Sequence, residues 1–207
     1  MTTIIFSAIV RAMDTAPGRK QLTHDRIVET AAGVLRESGF WGVGVADVMK
    51  RAGLTHGGFY AHFASRDALL CEALEHAGSD SAARLGKSMA QRQARGASPL
   101  RALVEAYLSD SHLGIPTQGC PVAALSSEMP RQSAEVAQAA AARVRRLVAA
   151  VQRALPEDAI EQAGVVASQM VGALQLARAL GDNAEGRALL AATRRSLLAQ
   201  FDAAPAR

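Results

Sequence analysis

Residues 53–66 read GLTHGGFYAHFASR. Gly57 and Gly58 stand side by side where a helix ought to begin, and each costs roughly 1 kcal/mol against alanine in a helix interior. Directly behind them come Phe59, Tyr60, His62 and Phe63, so a locally weak turn holds three of the chain's eight Phe, Trp and Tyr residues. Gly53-Leu54-Thr55 makes a tight turn, with Thr55 as N-cap of a short helix running through His62. Ahead of it, residues 45–52 read as a second short helix with Val45, Val48 and Met49 inward and Lys50 and Arg51 outward. A first helix is expected from His24 to about Ser38, capped by Thr23 and stopped by Gly39, with Ile27, Ala31, Val34 and Leu35 on one face. Phe40 and Trp41 anchor the glycine-punctuated turn that follows, and Ser65 caps a fourth helix.

Three short helices, the last two joined by a glycine turn, describe a helix-turn-helix, whose second helix enters the DNA major groove. At this point the stretch from Ile27 to Leu70 resembles the N-terminal domain of TetR-type transcriptional regulators. The match is carried by Ile27, Ala31, Leu35, Gly39, Val48, Gly53, Leu54, Thr55, Phe59, Tyr60, His62, Phe63, Ser65, Arg66 and Leu69. The resemblance implies an all-α protein: a flexible arm over residues 1–22, a DNA-binding domain over 23–70, and a helical ligand-binding and dimerisation domain over 71–207. It further implies a palindromic double-stranded DNA operator, a small-molecule inducer, a homodimer and, most often, repression.

The chemistry of the residues agrees. Thr55 at the N-cap leaves backbone N–H groups open to phosphate. His56 is best placed to reach base edges, while Gly57 and Gly58 let the backbone approach the groove. The Tyr60 hydroxyl and a ring nitrogen of His62 suit phosphate oxygens; Phe59 and Phe63 are expected inside. Arg66 stands where the family usually has lysine and is expected on a phosphate. Gly44 stands where a threonine commonly caps the second helix, which leaves the backbone N–H groups of Gly44 and Val45 for phosphate. Lys50 is a weaker candidate, because exposed helical charges are usually only solvated. An ordinary aromatic mini-core is the competing account of the rings.

Composition sets the frame. The chain has 207 residues, a net charge of +4 and 49% hydrophobic residues, with alanine abundant, which favours helices. Residues 1–70 and 71–207 each carry a net +2, so a basic DNA face has to come from spatial arrangement. Only three lysines are present, which argues against a nucleic-acid-compacting protein. Two cysteines, Cys71 and Cys120, fit a reducing cytoplasm. No run reads as the roughly 18 apolar residues of a membrane span, no secretory leader is recognisable, and residues 1–12, ahead of Met13, are expected to be disordered.

Beyond residue 78 the pattern is long helices: one running to Arg95, one from Ser98-Pro99 to about His112, a short one between Pro121 and Met129, one capped by Ser133 and reaching Leu155, one from Pro156 to Leu180, and one capped by Asn183 and ending at Phe201. Small residues over 133–181 (Ala139, Ala140, Ala163, Gly164, Ala167, Ser168, Gly172, Ala173) point to close helix packing across a two-fold axis.

The segment QGCPVAALSSEMPR, residues 118–131, resembles a subgroup of the family whose central helix opens with Gly-Cys-Pro. Cys120 just before Pro121 is a candidate thiol sensor of oxidants or electrophiles, because helix N-termini favour thiolates; a buried structural cysteine is the alternative. Cys71 reads as core. Tyr107, His112, Glu128 and Arg131 are candidate ligand-lining groups. Metal-ligand spacings, phosphate-binding glycine loops and nucleophile motifs are missing from the sequence, so no cofactor, metal or enzymatic activity is expected. The alternative is a helical small-molecule-binding protein or enzyme without a DNA role.

Overall fold

A computed structural model describes residues 18–202. Nine α-helices and several short 3-10 segments account for the described residues, and no strand forms among them. They are α1 Arg19–Gly42, α2 Val45–Arg51, α3 Arg66–Gln93, α4 Pro99–Tyr107, α5 Asp110–Gly114, α6 Pro121–Leu125, α7 Ala134–Ala154, α8 Ala163–Leu180 and α9 Ala184–Phe201. The expected all-α architecture is found. The arm over residues 1–17 lies outside the described residues, but α1 already begins at Arg19, five residues before the expected start. Thr23 is no cap: its hydroxyl donates to the Arg19 carbonyl inside the helix, at 2.9 Å.

Where capping chemistry was unambiguous, the helix starts are as expected. The hydroxyls of Ser65, Ser98 and Ser133 accept the N–H groups of Ala68, Arg101 and Val136, and the Asn183 side chain accepts those of Glu185 and Gly186. Each such cap contributes about 1 kcal/mol. The expected helix from Ser98 to His112 breaks after Tyr107, because Ser109 caps a new one, α5, by accepting the His112 N–H. α3 runs as one 28-residue helix across the expected domain boundary at residue 70.

α1 packs along α3, α3 against α4 and α7, and α8 against α9. A single hydrophobic core passes from Ile27, Leu35, Phe40 and Phe59 in the N-terminal helices through Leu74, Leu103 and Val136 to Leu174 and Leu190. Residues 157–180 do reach the length and mean hydropathy (1.2) of a membrane span, with 39% of that window buried, which corrects the reading of the sequence. One face of α8 is core (Val166, Met170, Ala173, Leu174, Ala177), while Val165, Leu176 and Leu180 stand exposed. Of the small residues, Ala140, Ala163, Ala167 and Ala173 are buried in the chain's own core, and Gly164 and Ser168 face out.

Candidate nucleic-acid interface and ligand cavity

α2 ends on Gly53, whose φ of 70° lets the Leu54 N–H reach back to the Met49 carbonyl at 2.8 Å; only glycine takes that turn without strain. The segment after it is a 3-10 helix, His56–Ala61, rather than an α-helix. Thr55 has the extended backbone of an N-cap, but its side chain caps nothing. Phe59 and Phe63 are buried and stacked with centroids 5.5 Å apart. His56 is exposed and Tyr60 is 73% exposed, its ring edge-on to Phe59.

The two glycines are not required by the fold. Neither has a positive φ, a Cβ at Gly57 would meet nothing within 4 Å, and one at Gly58 would make only ordinary contacts, with Met49 at 3.7 Å and the Thr55 hydroxyl at 3.9 Å. Lys50 is exposed, with no carboxylate within salt-bridge distance among the described residues, whereas its neighbour Arg51 is held by Asp47 and Glu37. His62 is half-buried beside His24, with Nδ1 enclosed and unpartnered, which leaves Nε2 as its accessible nitrogen. Burial, then the nearby His24 and Lys20, lowers its pKa.

Three expectations are corrected by geometry. Arg66 does not project toward a backbone-binding face: its Nε donates to the Val43 carbonyl at 2.9 Å and Nη2 to the Phe40 carbonyl, so it ties down the α1–α2 corner. The Gly44 N–H is used on the Gly42 carbonyl at 3.0 Å, leaving only that of Val45 at the open end of α2. Phe40 is an anchor, but Trp41 is 74% exposed. Trp41 is thus a further exposed aromatic at this tip.

Glu128 is also elsewhere than expected. It borders neither cavity at Tyr107; its Oε2 accepts the Phe40 N–H at 2.9 Å, 88 residues away in sequence. Gly39, just before, has φ 71° and ψ −177°, a region essentially reserved for glycine. A Cβ there would collide with the Glu128 carboxylate. The peptide around Phe40 is thus clamped from both sides, by Glu128 on its N–H and Arg66 on its carbonyl.

The other end of the 118–131 segment meets a cavity. Tyr107 is buried and Cys120 nearly so, and the two line a space of about 360 Å³ between α3, α6 and α7. A smaller space of about 180 Å³ adjoins across Tyr107 and Leu85 and is bordered by His112. Both His112 nitrogens are engaged: Nδ1 with the Tyr107 carbonyl at 2.6 Å, Nε2 accepting the Cys120 N–H at 3.0 Å. His112 therefore pins the loop that carries Cys120. The Tyr107 hydroxyl is beside the Cys120 sulfur, without a well-directed partner. Arg178, the lone charge in α8, sits behind the Gly119-Cys120 loop with Nε and Nη1 unpaired. A single arginine in an otherwise apolar helix was a signal available in the sequence. Arg131 is exposed and bonded to the Ser127 carbonyl, and Cys71 packs against the core with its pKa raised by burial.

Burial pulls the His112 pKa from 6.5 to about 4. The folded protein holds the neutral ring and the unfolded chain protonates near 6.5, so stability is full above that value. It falls as the pH drops from about 6.5 to 4, by on the order of 2–4 kcal/mol. His112→Asn should be less stable at neutral pH and should flatten this part of a stability–pH curve from urea denaturation. An unchanged slope would remove His112 as its cause.

Residues 27–73 match the family model for bacterial regulatory proteins of the tetR family. The chain is 32% identical, over 170 residues, to an uncharacterized HTH-type transcriptional regulator of Mycobacterium tuberculosis, covering 76% of this chain and 85% of that protein. The chain belongs to the TetR family. It is a DNA-binding transcriptional regulator. Among solved structures, the TetR fold is shared with a TetR-family regulator from Agrobacterium tumefaciens (TM-score 0.69, 23% identity, 88% of this chain and 98% of that one). Escherichia coli NemR in its reduced form gives a TM-score of 0.73 at 21% identity, over 89% and 99% of the two chains. TetR_N, the matched segment, spans α1 from Ile27, α2, the 3-10 segment and the first two turns of α3.

Proposed function

We propose that the protein is a cytoplasmic, ligand-responsive repressor that binds a palindromic operator as a homodimer and leaves it when an inducer enters the α3–α6–α7 cavity. The observation that carries this reading is the 118–131 segment. Its Cys120 end lines the cavity, and its Glu128 end holds the Phe40 peptide of the DNA-binding part. A ligand that shifts α6 has a direct mechanical route to the α1–α2 corner, a two-state element that binding can bias. Residues 23–70 supply DNA contact, and the remainder supplies ligand binding and dimerisation. The exposed α8 stripe of Val165, Ser168, Leu176 and Leu180 supports a helix-on-helix dimer face.

At the DNA, His56 reads base edges, and the Tyr60 hydroxyl, His62 Nε2, Lys50 and the N–H groups at Thr55–Gly57 and Val45 hold phosphates. Gly57 tests this separately from folding. Its neighbourhood is open, so Gly57→Ala should leave the protein as stable or up to about 1 kcal/mol more stable. Operator affinity, read by fluorescence anisotropy, should nevertheless fall. Unchanged affinity would mean that nothing approaches the segment closely.

A second reading concerns the thiol. Cys120 faces the cavity with the Tyr107 hydroxyl beside it and, behind it, the Arg178 guanidinium, whose Nη2 donates to the His112 carbonyl at 3.0 Å while Nε and Nη1 are free, a cationic setting of the kind that favours nucleophilic sulfur. Addition of the thiol to an electrophilic alkene would form a C–S bond as the S–H and C=C π bonds break, the thiol proton passing to water and water returning a proton to the neighbouring carbon. Equal DNA release by N-ethylmaleimide from wild type and Cys120→Ser would exclude that role.

A further inference from the structure

The 360 Å³ cavity is lined by three arginines, Arg143, Arg146 and Arg153, and by no carboxylate. One acid serves this cluster: the Glu75 Oε1 is shared by Arg143, at 3.2 Å, and Arg146. Sharing holds the Glu75 pKa down, against its own burial, and leaves the lining with excess positive charge. Arg143 is the deeper of the two, its side chain 11% exposed against 57% for Arg146. Its Nε is enclosed without a partner.

The seat of that guanidinium is built into the backbone. Gly78 lies in the middle of the long helix α3, where glycine is destabilising relative to alanine, and a Cβ there would occupy the space of the Arg143 guanidinium. The second unsatisfied polar atom of this lining is the hydroxyl of Tyr107, on a residue 1% exposed. Burial raises the Tyr107 pKa well above its ordinary value, so the phenol stays protonated and can donate. Around these donors the wall is apolar: Leu85, Val122, Leu147 and Ala150. Buried donors normally have acceptors, and unmet ones are costly.

We infer that the cavity is a receptor for a small amphipathic carboxylate, its anionic head held by the Arg143 guanidinium and the Tyr107 hydroxyl and its apolar body along Leu85, Val122 and Leu147. Guanidinium is the side chain suited to a planar carboxylate, through two parallel N–H donors. A cavity of a few hundred Å³ fits a body of roughly eight to ten carbons. The inference rests on the ligand-responsive reading of the same cavity, and the two fail in different ways.

The test compares matched pairs on the full-length protein by calorimetry: octanoate with 1-octanol, and 4-phenylbutyrate with 4-phenyl-1-butanol. At least one carboxylate should bind ten-fold or more tightly than its alcohol. Arg143→Gln should remove that preference, and the exposed Arg146→Gln should reduce it several-fold at high thermal stability, which covers a failure of Arg143→Gln to fold. Alcohols that bind as tightly as the acids, or absence of binding by both acids, would overturn the carboxylate assignment. Carboxylate binding that depends on Arg143 but leaves the operator complex intact supports the ligand class and defeats the inducer reading. Release of DNA by the alcohols alone does the reverse.

Discussion

His56→Ala should sharply reduce discrimination between operator and random DNA, while the unfolding midpoint of the protein stays where it was. His56 is exposed and makes no recorded side-chain hydrogen bond among the described residues, so nothing in the fold depends on it. A base-edge contact is worth about 1–3 kcal/mol of discrimination, and a two-fold symmetric complex counts each loss twice. The expected fall in specific affinity is therefore roughly 30-fold to beyond 10³-fold, toward the non-specific level. Tyr60→Phe gives a different signature. It keeps the ring that packs edge-on to Phe59 at 5.2 Å and deletes only the hydroxyl. A phosphate contact carries no sequence information, so affinity should drop several-fold for operator and random DNA alike. Anisotropy titrations at fixed salt separate the two. Wild-type selectivity in His56→Ala would show that the bases are read by another side chain.

Gly39→Ala should destabilise the folded protein strongly. Its backbone, φ 71° and ψ −177°, lies in a region only glycine occupies readily, at about 1–3 kcal/mol for any other residue. The new Cβ would also strike the Glu128 carboxylate. Relief of that collision means losing the bond from the Phe40 N–H, at 2.9 Å, a further 1–3 kcal/mol for an unmet donor. The expected total is about 2–6 kcal/mol. Glu128→Ala alone costs only the second part, and in its background Gly39→Ala costs only the backbone part. The double variant should be more stable than the sum of single losses by 1 kcal/mol or more, in a urea-denaturation cycle. Strict additivity would mean that Glu128 and Gly39 do not act on each other. Glu128→Gln keeps an acceptor oxygen and should restore most of the stability. If the latch also transmits the ligand signal, Glu128→Ala should bind inducer normally and release DNA poorly.

Local chemistry was enough for much of the fold. Ser65, Ser98, Ser133 and Asn183 mark helix starts because a short polar side chain next to open N–H groups has one favourable use. Gly53 marks a turn that needs positive φ. The spacing of Ile27, Ala31, Val34 and Leu35 describes a buried face, and all four are buried. Thr23 misled, because a threonine inside a helix can instead return its hydroxyl to the carbonyl four residues back. The sequence predicts a short helix from Thr55 through His62; its 3-10 form over His56–Ala61 reflects two glycines that weaken the α ladder and leave Phe59 and Phe63 to set the geometry.

The stretch GLTHGGFYAHFASR by itself determined that this chain is a helix-turn-helix regulator, because the turn, the small residues and the rings are neighbours whose relations are local. The sequence also named Tyr107, His112 and Cys120, which the fold does gather in one place. Only the tertiary structure decided what the long polar side chains do. Glu128 reaches Phe40 across 88 residues, Arg66 turns back onto the α1–α2 corner, Arg143 fills the gap at Gly78, and Arg178 backs the Cys120 loop. Such side chains span several ångströms with many rotamers, so their partners are set by which backbone groups the packed helices leave unsatisfied. That information exists only once α1, α3, α6 and α7 have met.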